Sequence, residues 1–290
     1  MPVEHKFDYV IVGAGTAGCL LANRLSADPN ITVLLLEAGG RDDWIWTKIP
    51  VGYLYCINNP RTDWCFKTEA EEGLNGRSII YARGKVLGGC SSINAMIYMR
   101  GQARDYDEWA RSTGDSSWRW ENVLPLFKKS EDYYRGADAA HGSGGEWRVE
   151  QQRLSWEILD AYRSAMIEAG IPPTDDFNRG DNEGCGYFLV NQRRGVRLNT
   201  ARAFLHPIAT RSNLTVLTEA HVQKLRFEGR RCTGVEFARG GRGEIALSAI
   251  EMILAAGSIG SPQILQLSGV GPAALLSEHG ISVVQDLSGV

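Results

Sequence analysis

Two short apolar runs and one amphipathic segment open the sequence. The runs Phe7–Val12 and Ile31–Leu36 are apolar and rich in β-branched residues, which is typical of buried strands. Between them, the segment Thr16–Ala27 places its apolar side chains on one side of a helix. A strand, a helix and a strand within about 35 residues predict a βαβ unit with parallel strands.

The middle of the chain shows irregular structure followed by helices. Residues 41–87 have little periodicity and many aromatic side chains, and a connection this long usually has a function. Helical periodicity follows at Asp105–Arg111, Glu121–Tyr133 and Leu154–Ala169. These three segments are therefore predicted to be helices.

The last third of the sequence changes from helices to strands. Alternating segments separated by glycine and charge predict a small antiparallel sheet made of Leu214–Thr218, His221–Phe227, Thr233–Phe237 and Glu244–Ser248. A further buried strand, Glu251–Ala255, precedes a helix that runs to Leu267. The chain thus returns to the layer with which it began, and the predicted fold class is α/β.

The composition of the 290 residues is that of an ordinary globular protein. It is 43% hydrophobic and 22% charged with a formal charge of -3, which excludes a disordered or fibrous chain and argues against nucleic acid as a partner. Six scattered cysteines without a Cys/His cluster predict no metal site. The N-terminus has no signal-peptide core, and no apolar run reaches the ~18 residues of a spanning helix. We therefore expect a cytoplasmic protein with no integral membrane segment, with peripheral membrane contact left open.

A glycine-rich turn joins the first strand to the first helix. Gly13-Ala14-Gly15-Thr16-Ala17-Gly18 matches G-x-G-x-x-G, and Glu37 ends the next strand about 20 residues later. Gly13 permits the tight turn, Gly15 lets the backbone approach a pyrophosphate, and Gly18 lets the helix pack on the strand. A carboxylate at Glu37 suits the hydroxyls of a ribose. The turn predicts FAD or NAD and does not decide between them.

Two further motifs decide between these cofactors. The first is Gly84-Lys85-Val86-Leu87-Gly88-Gly89-Cys90-Ser91-Ser92-Ile93-Asn94, with Tyr98, Gly101 and Asp107 downstream. The second is Gly257-Ser258-Ile259-Gly260-Ser261-Pro262-Gln263-Ile264-Leu265, which closes with Ser268-Gly269-Val270-Gly271. Together they resemble the two signatures of the glucose-methanol-choline (GMC) flavoprotein oxidoreductases. The resemblance covers essentially the whole chain and is greatest to choline-dehydrogenase-like bacterial members.

This resemblance implies FAD as the cofactor and oxidation of an alcohol by hydride transfer to flavin N5. Carried over residue by residue, it implies cofactor contacts at Gly13, Gly15, Thr16, Ala17, Gly18, Glu37, Ala38, Trp64, Gly84, Gly89, Ser92, Asn94, Ala95, Met96, Val222 and Gly257. The first turn and Glu37 would hold the ADP half, and Val222 would contact adenine through its backbone. The motif from Gly84 to Met96 would run beside the pyrophosphate, ribityl and isoalloxazine, where small residues and backbone N–H donors suit a flat cofactor.

Two positions refine the picture of the cofactor. Some relatives attach the flavin covalently through a histidine at the position held here by Ile93. Isoleucine cannot form that bond, so the resemblance implies non-covalent FAD. Cys90 stands where many members have serine or glycine, and a small packing residue is favoured there over a redox role.

The resemblance also divides the chain into five expected segments. Residues 1–40 are the first FAD-binding βαβ unit of a Rossmann-like layer, and residues 41–110 cover FAD and contact the flavin. Residues 111–213 belong to a partial substrate domain, residues 214–249 form the inserted small antiparallel sheet, and residues 250–290 return to the FAD-binding layer.

No catalytic residue is assigned from the sequence. In the GMC family the base that takes the hydroxyl proton is a histidine near the C-terminus, and this chain ends barely past the second signature. For each of its five histidines, a surface or capping role is favoured over catalysis: His5, His141, His206, His221 and His279. The glycine-rich stretch Gly136–Gly145 around His141 is expected to be a plain surface turn. The catalytic residues are therefore unknown, and the 290 residues alone are expected to be inactive.

Several functional hypotheses stay open. The leading one is the N-terminal part of an FAD-dependent alcohol dehydrogenase that oxidises a choline-like or other primary alcohol and passes electrons to a quinone or similar acceptor. An oxygen-using alcohol oxidase is the near alternative, and a lyase on the same scaffold is more remote. A truncated, non-catalytic FAD-binding fragment is the alternative from another class, and an NAD-linked dehydrogenase rests on the first turn alone. An incomplete sheet would expose edges and apolar faces, which predicts aggregation.

Overall fold

The computed structural model describes residues 3–290, which divide into two compact units. The first unit combines the described residues up to Ile93 with Asn199–Val290, and the second unit is Asn94–Leu198. The five segments expected from the family resemblance are functional divisions and stay a prediction.

Short helices and strands follow one another along the described chain. The α-helices are α1 (Thr16–Leu25), α2 (Tyr53–Cys56), α3 (Ala103–Thr113), α4 (Trp120–Ser130), α5 (Glu157–Glu168), α6 (Gly257–Leu267) and α7 (Ala273–Glu278). The strands are β1 (Val3–Val12), β2 (Val33–Leu36), β3 (Phe66–Lys67), β4 (Ile80–Tyr81), β5 (Ile97–Tyr98), β6 (Glu131–Tyr133), β7 (Trp147–Gln151), β8 (Leu189–Val190), β9 (Gln192–Arg193), β10 (Val196–Arg197), β11 (Leu214–Leu217), β12 (Ala220–Glu228), β13 (Arg231–Arg239), β14 (Arg242–Leu254), β15 (Val270–Gly271) and β16 (Gln285–Asp286).

The first unit is built on a six-stranded sheet with the order β11-β2-β1-β14-β13-β12. Strands β11, β2, β1 and β14 are parallel, and β13 and β12 continue the sheet in antiparallel pairing. The hydrophobic core lies against this sheet and includes the fully buried side chains of Val10, Leu34, Val235 and Phe237. The predicted βαβ unit and the α/β fold class are confirmed.

Two details of the predicted antiparallel sheet are wrong. The segment predicted as Leu214–Thr218 forms β11, which pairs in parallel with β2 and extends the βαβ layer. The segments Glu244–Ser248 and Glu251–Ala255 belong to one strand, β14, which pairs with β1 on one side and β13 on the other. Its register against β1 shifts between Phe7 and Tyr9, and this irregularity interrupts the alternation that marks a single strand. Alternation identifies a strand but does not give the direction of its neighbour.

The second unit contains the four-stranded sheet β5-β8-β7-β6 and the helices α3, α4 and α5. The predicted helix Glu121–Tyr133 is too long, since α4 ends at Ser130 and the next three residues form β6, which pairs in parallel with β7. The predicted helix Leu154–Ala169 is present as α5, which begins at Glu157. No residue of α5 is buried.

The expectation of a plain surface turn around His141 is wrong, because its side chain is fully buried. Its Nδ1 lies 3.0 Å from Oε1 of Glu131 and its Nε2 lies 2.7 Å from Oδ2 of Asp176. Arg100 donates from Nη2 to the other oxygen of Glu131 at 2.9 Å. Opposite charges at hydrogen-bond distance allow these four side chains to be buried together.

Two features are absent from the described residues, 3–290. None of their helices is long and apolar enough to cross a membrane. Nor do three or more of their His, Cys, Asp and Glu side chains come together in a way that could hold a metal ion.

Candidate cofactor-binding site

The turn between β1 and α1 has no room for side chains at two of its glycines. Gly13 has a φ of +98°, and a Cβ atom there would lie 2.5 Å from the carbonyl oxygen of Ala255. A Cβ atom on Gly18 would overlap the carbonyl oxygen of Gly13. At Gly15 a Cβ atom would meet nothing within 4 Å. The fold itself therefore requires the first and last glycine, whereas Gly15 leaves open space at the N-terminus of α1, where the helix dipole favours an anion.

Glu37 lies directly after β2 and points its carboxylate at this turn. Its oxygens accept hydrogen bonds from the backbone N–H of Ala14 and of Gly39, each at 2.9 Å. Only 6% of the residue is exposed. Burial raises the pKa of Glu37 to about 7, although the two amides and nearby Lys85 favour the charged form. A buried carboxylate thus lies beside the glycine turn, with half-buried Ala38 after it.

The second glycine cluster packs directly on the first. The backbone N–H of Gly88 donates to the carbonyl oxygen of Ala14 at 2.8 Å. Gly89 has a φ of +53°, and a Cβ atom there would lie 2.8 Å from Cα of Gly15. A Cβ atom on Gly84 would overlap the backbone of Gly89. Two motifs that are far apart in the sequence therefore meet as one surface of bare backbone.

A buried polar cluster, which the sequence did not reveal, contacts this second glycine cluster. Nδ2 of Asn199 donates to Oγ of Ser92 at 2.8 Å and to Oδ2 of Asp42 at 3.1 Å. Nε2 of His206 lies 2.9 Å from the other oxygen of Asp42. Burial raises the pKa of Asp42, but the hydrogen bonds to His206 and Asn199 outweigh it and hold the pKa below its ordinary value. No local pattern connects Asp42 with Asn199, because only the fold brings them together.

Trp64 lies beside the second glycine cluster, and its backbone is fixed by hydrogen bonds. Its N–H donates to the carbonyl oxygen of Arg83 at 2.9 Å, and the buried side chain of Asp63 accepts from the N–H of Arg83 at 2.9 Å. Nζ of Lys85 lies 4.7 Å from the centre of the Trp64 ring, and the ring of His221 meets it edge-on at 5.4 Å. The indole therefore lies between Lys85 and His221, next to the bridge that pairs Asp63 with Gly84.

The remaining predicted residues of the first unit belong to β12 and α6. β12 begins next to Glu37, whose carbonyl oxygen accepts from the N–H of Ala220 at 2.8 Å, and Val222 follows with 7% exposure. Gly257 opens α6, and the residue before it lies against the Gly13 turn. The predicted site residues that this unit brings together are Gly13, Gly15, Thr16, Ala17, Gly18, Glu37, Ala38, Trp64, Gly84, Gly89, Ser92, Val222 and Gly257.

The other three predicted residues open the second unit. Oδ1 of Asn94 accepts from the N–H of Met96 at 3.0 Å and from Nη1 of Arg197 at 3.0 Å. Met96 has a φ of +64°, which is uncommon for a residue with a side chain, and Ala95 before it is exposed. The carbonyl oxygen of Met96 accepts from the N–H of Asn191 at 2.9 Å. This segment is therefore held in its unusual conformation by residues of its own unit.

Three further histidines of the described chain, His141, His221 and His5, lie next to charged side chains. Burial lowers the pKa of His141, but its hydrogen bonds to Asp176 and Glu131 outweigh this effect and raise the pKa to about 9. Its ring is therefore protonated at neutral pH and cannot accept a proton there. Burial and the charge of Lys85 lower the pKa of His221. Nε2 of His5 lies 2.8 Å from Glu244.

Comparison with known proteins identifies the family to which the chain is similar. A family model described as GMC oxidoreductase matches residues 7–283. The chain is 44% identical over 284 residues to an alcohol dehydrogenase (acceptor) of Pseudomonas putida, covering 97% of this chain and 51% of that protein. It is 43% identical over 294 residues to an oxygen-dependent choline dehydrogenase of Photobacterium profundum, covering 99% and 51% respectively. Among solved structures, pyridoxine 4-oxidase from Mesorbium loti matches with a TM-score of 0.94 and 34% identity, covering 98% of this chain and 56% of that chain.

The parallel sheet and the joined glycine clusters define an α/β fold whose first turn is typical of dinucleotide-binding proteins. The chain belongs to the GMC oxidoreductase family, which confirms the resemblance carried by its motifs. Its cofactor class is accordingly a flavin. The chain spans about half the length of the curated relatives it matches.

Proposed function

We propose that this chain is the FAD-binding part of an enzyme that oxidises a choline-like or other primary alcohol to an aldehyde. The electrons pass to a quinone or a similar acceptor. The observation that carries the proposal is the close approach of Gly89 to Gly15, which leaves bare backbone where a pyrophosphate and a flat ring need it. The similarity to an alcohol dehydrogenase and a choline dehydrogenase supports an alcohol as the substrate. When bound, FAD supplies the atom that accepts the hydride.

The described residues suit the parts of this cofactor. Open space at Gly15 and the N-terminus of α1 suit the pyrophosphate, and the carboxylate of Glu37 suits the ribose hydroxyls. The ADP half of the cofactor is further assigned to Thr16, Ala17, Gly18 and Ala38. Val222 is assigned to the adenine, and Gly257 to a second turn that faces a phosphate. On the flavin side we assign Trp64, Gly84, Gly89, Ser92, Asn94, Ala95 and Met96.

We further propose that FAD is bound without a covalent link. Ile93 occupies the family position of a flavin-linked histidine, and it is 3% exposed in an apolar cluster with Cys56 and Val86. An aliphatic side chain packed in this way has no group that could attach to the flavin.

The proton-accepting step is assigned to none of the five histidines. His141 is enclosed and charged at neutral pH, and His206 is bound to Asp42. Nε2 of His5 lies beside Glu244, the ring of His221 packs edge-on against Trp64, and His279 is an exposed residue directly after α7. We therefore expect the 290 residues to bind FAD while turning over little or no alcohol by themselves.

An oxygen-using alcohol oxidase is the second candidate, because the chain is also similar to pyridoxine 4-oxidase. The two candidates differ in the electron acceptor. A dehydrogenase reduces a dye or quinone and leaves oxygen unconsumed, whereas an oxidase forms hydrogen peroxide. Both assays require a form of the enzyme that turns over alcohol.

The visible absorption spectrum of the purified chain, before and after acid precipitation, tests cofactor binding directly. We expect flavin bands that move to the supernatant with the acid, as non-covalent FAD requires. Flavin that stays in the pellet would contradict the argument from Ile93 and keep FAD. A colourless chain that takes up no added FAD would contradict the proposed function.

The substitution Gly15→Ala separates cofactor binding from folding. The added methyl group meets no protein atom within 4 Å, and φ at this position is −76°, so the fold should tolerate alanine. The methyl group would occupy the space assigned to the pyrophosphate. We expect the dissociation constant for FAD to rise at least about tenfold with an unchanged melting temperature of the FAD-free protein.

Gly243→Ala is the matched control, because a Cβ atom there also meets nothing within 4 Å and the residue lies in β14. This variant should bind FAD as the wild-type chain does. Gly18→Ala, where the methyl group would overlap the Gly13 carbonyl, should instead fail to fold. Equal FAD affinity of the Gly15→Ala and Gly243→Ala variants would refute the assigned pyrophosphate position.

A further inference from the structure

We propose that Asn199 and Thr200 are positioning residues for FAD, which act through Ser91 and Ser92 on the second glycine cluster. The inference rests on the proposed function and assigns roles to two residues outside the recognised motifs. Both residues are fully buried, so they act through the turn that they hold rather than by touching a ligand.

The side chain of Asn199 has one orientation available to it. Its Oδ1 accepts the N–H of Arg202 at 2.8 Å, so its amide N–H groups must face oxygen atoms. One points to Oγ of Ser92 at 2.8 Å and the other to Oδ2 of Asp42 at 3.1 Å. Oγ of Ser92 in turn donates to the carbonyl oxygen of Leu87 at 2.7 Å. Asn199 therefore fixes Ser92 from the side, with the buried carboxylate of Asp42 as its anchor.

Thr200 makes the equivalent connection to the neighbouring serine. Its N–H donates to Oγ of Ser91 at 2.9 Å, and its Oγ1 lies 3.0 Å from the same oxygen. Both hydroxyls reach the carbonyl oxygen of Gly88, at 2.6 Å from Ser91 and 3.3 Å from Thr200. The carbonyl group of Gly88 is thus held by two hydroxyl groups, in addition to the backbone N–H of Ser91 at 3.1 Å.

Two consecutive residues therefore bind two consecutive serines, which fixes the register between the segments. From Gly88 the connection continues through its N–H to the carbonyl oxygen of Ala14. At Gly89 the same turn comes so close to Gly15 that no Cβ atom fits. A shift of a few tenths of an ångström at Ser91 or Ser92 would thus be transmitted to the backbone that faces the pyrophosphate.

The experiment compares two variants of the full chain that remove the proposed supports, Asn199→Ala and Thr200→Val. We expect each to raise the dissociation constant for FAD about tenfold, which corresponds to one or two lost hydrogen bonds. We also expect faster amide hydrogen exchange over residues 84–94 in the FAD-free protein and altered visible circular dichroism of the bound flavin. Thr200→Ser, which keeps the hydroxyl, should restore all three readouts to within about twofold of the wild-type values.

Ser26→Ala is the control for a merely structural loss. Ser26 is also buried in the first unit, where its hydroxyl donates to Ala22 and accepts from Arg211. Its loss should lower the melting temperature and leave FAD affinity and exchange over residues 84–94 unchanged.

The outcomes separate this inference from the proposed function. A folded wild-type chain that binds no FAD would contradict the proposed function itself. Wild-type binding with unchanged affinity in both Asn199→Ala and Thr200→Val would overturn the positioning role, as would a loss in Thr200→Ser equal to that in Thr200→Val. If Asn199→Ala does not fold, the comparison of the two Thr200 variants decides the question.

Discussion

Several ionisable side chains of this chain are buried, and their protonation states depend on burial and on their hydrogen-bond partners. Glu37 has two amide donors, yet burial raises its pKa to about 7. The sequence predicts that Glu37 binds the cofactor, because a carboxylate after the second strand of a βαβ unit suits the ribose hydroxyls, and this role stays a prediction. It did not predict the burial of His141, because glycines near a residue report only the local backbone. The partners of that ring, Glu131 and Asp176, lie 10 and 35 residues away in the sequence, beyond the reach of a local pattern.

The raised pKa of Glu37 predicts that FAD binding releases protons. Ribose hydroxyls bind best to the ionised carboxylate, whereas the FAD-free protein holds this group about half protonated near pH 7. Affinity should therefore fall as the pH drops below 7, by up to about tenfold per pH unit. Calorimetry of FAD binding in two buffers of different ionisation enthalpy measures the protons released.

Glu37→Gln provides the control, since it keeps the shape and removes the titration. This variant should bind FAD more weakly and release no proton at that pH. The same proton release in the variant would show that another group titrates.

At the scale of helices and strands, the sequence located most elements but not their partners. The apolar runs of β1 and β2 and the helical period of α1 were sufficient to predict the βαβ unit. The direction of β11 and the continuity of β14 were not predicted, because both depend on what lies beside the strand. The site divides in the same way. The glycine motifs were sufficient to predict the two turns. The hydrogen bond between Asp42 and Asn199, which helps to hold the second turn, is visible only in the folded structure.

The exposed apolar side chains of helix α5 lead to a prediction about aggregation. α5 buries none of its residues, and Ile158 and Tyr162, one turn apart, are 67% and 66% exposed. Replacing both with lysine removes an exposed apolar patch without opening the core. We expect less aggregation in light scattering, with a melting temperature within about 2 °C of the wild-type value.

Val123→Lys in α4 is the matched buried control, because Val123 is 8% exposed. It should destabilise the protein severely, since it buries an unpaired charge. A comparable loss of stability in the α5 double variant would show that this helix face is packed after all.

At the scale of the whole molecule, the buried charges of the second unit make stability depend on pH. The folded pKa of His141, about 9, is higher than its ordinary value of 6.5. Its ion pairs therefore stabilise the folded chain fully below pH 6.5 and lose their effect as the pH rises to about 9. We expect the free energy of unfolding to fall by up to about 3 kcal/mol across this range, measured by urea denaturation.

His141→Gln should lower stability at all pH values and remove the decline between pH 6.5 and 9. Gln can still hydrogen-bond, but it carries no charge for Glu131 and Asp176. An equally steep decline in this variant would assign the pH dependence to other groups.

The order of strands in the large sheet also determines when β1 can pair with its neighbour during synthesis. β1 pairs along its length with β14, from Val3 beside Glu244 to Val12 beside Leu254. A ribosome adds roughly 5–20 residues per second, so β1 emerges roughly ten to fifty seconds before its neighbour has been made. Throughout that interval one edge of the apolar segment Val10–Val12 has no partner, while Asn94–Leu198 emerges as a compact unit of its own. This edge therefore has to be kept from pairing with other exposed strand edges until residues 242–254 have been made.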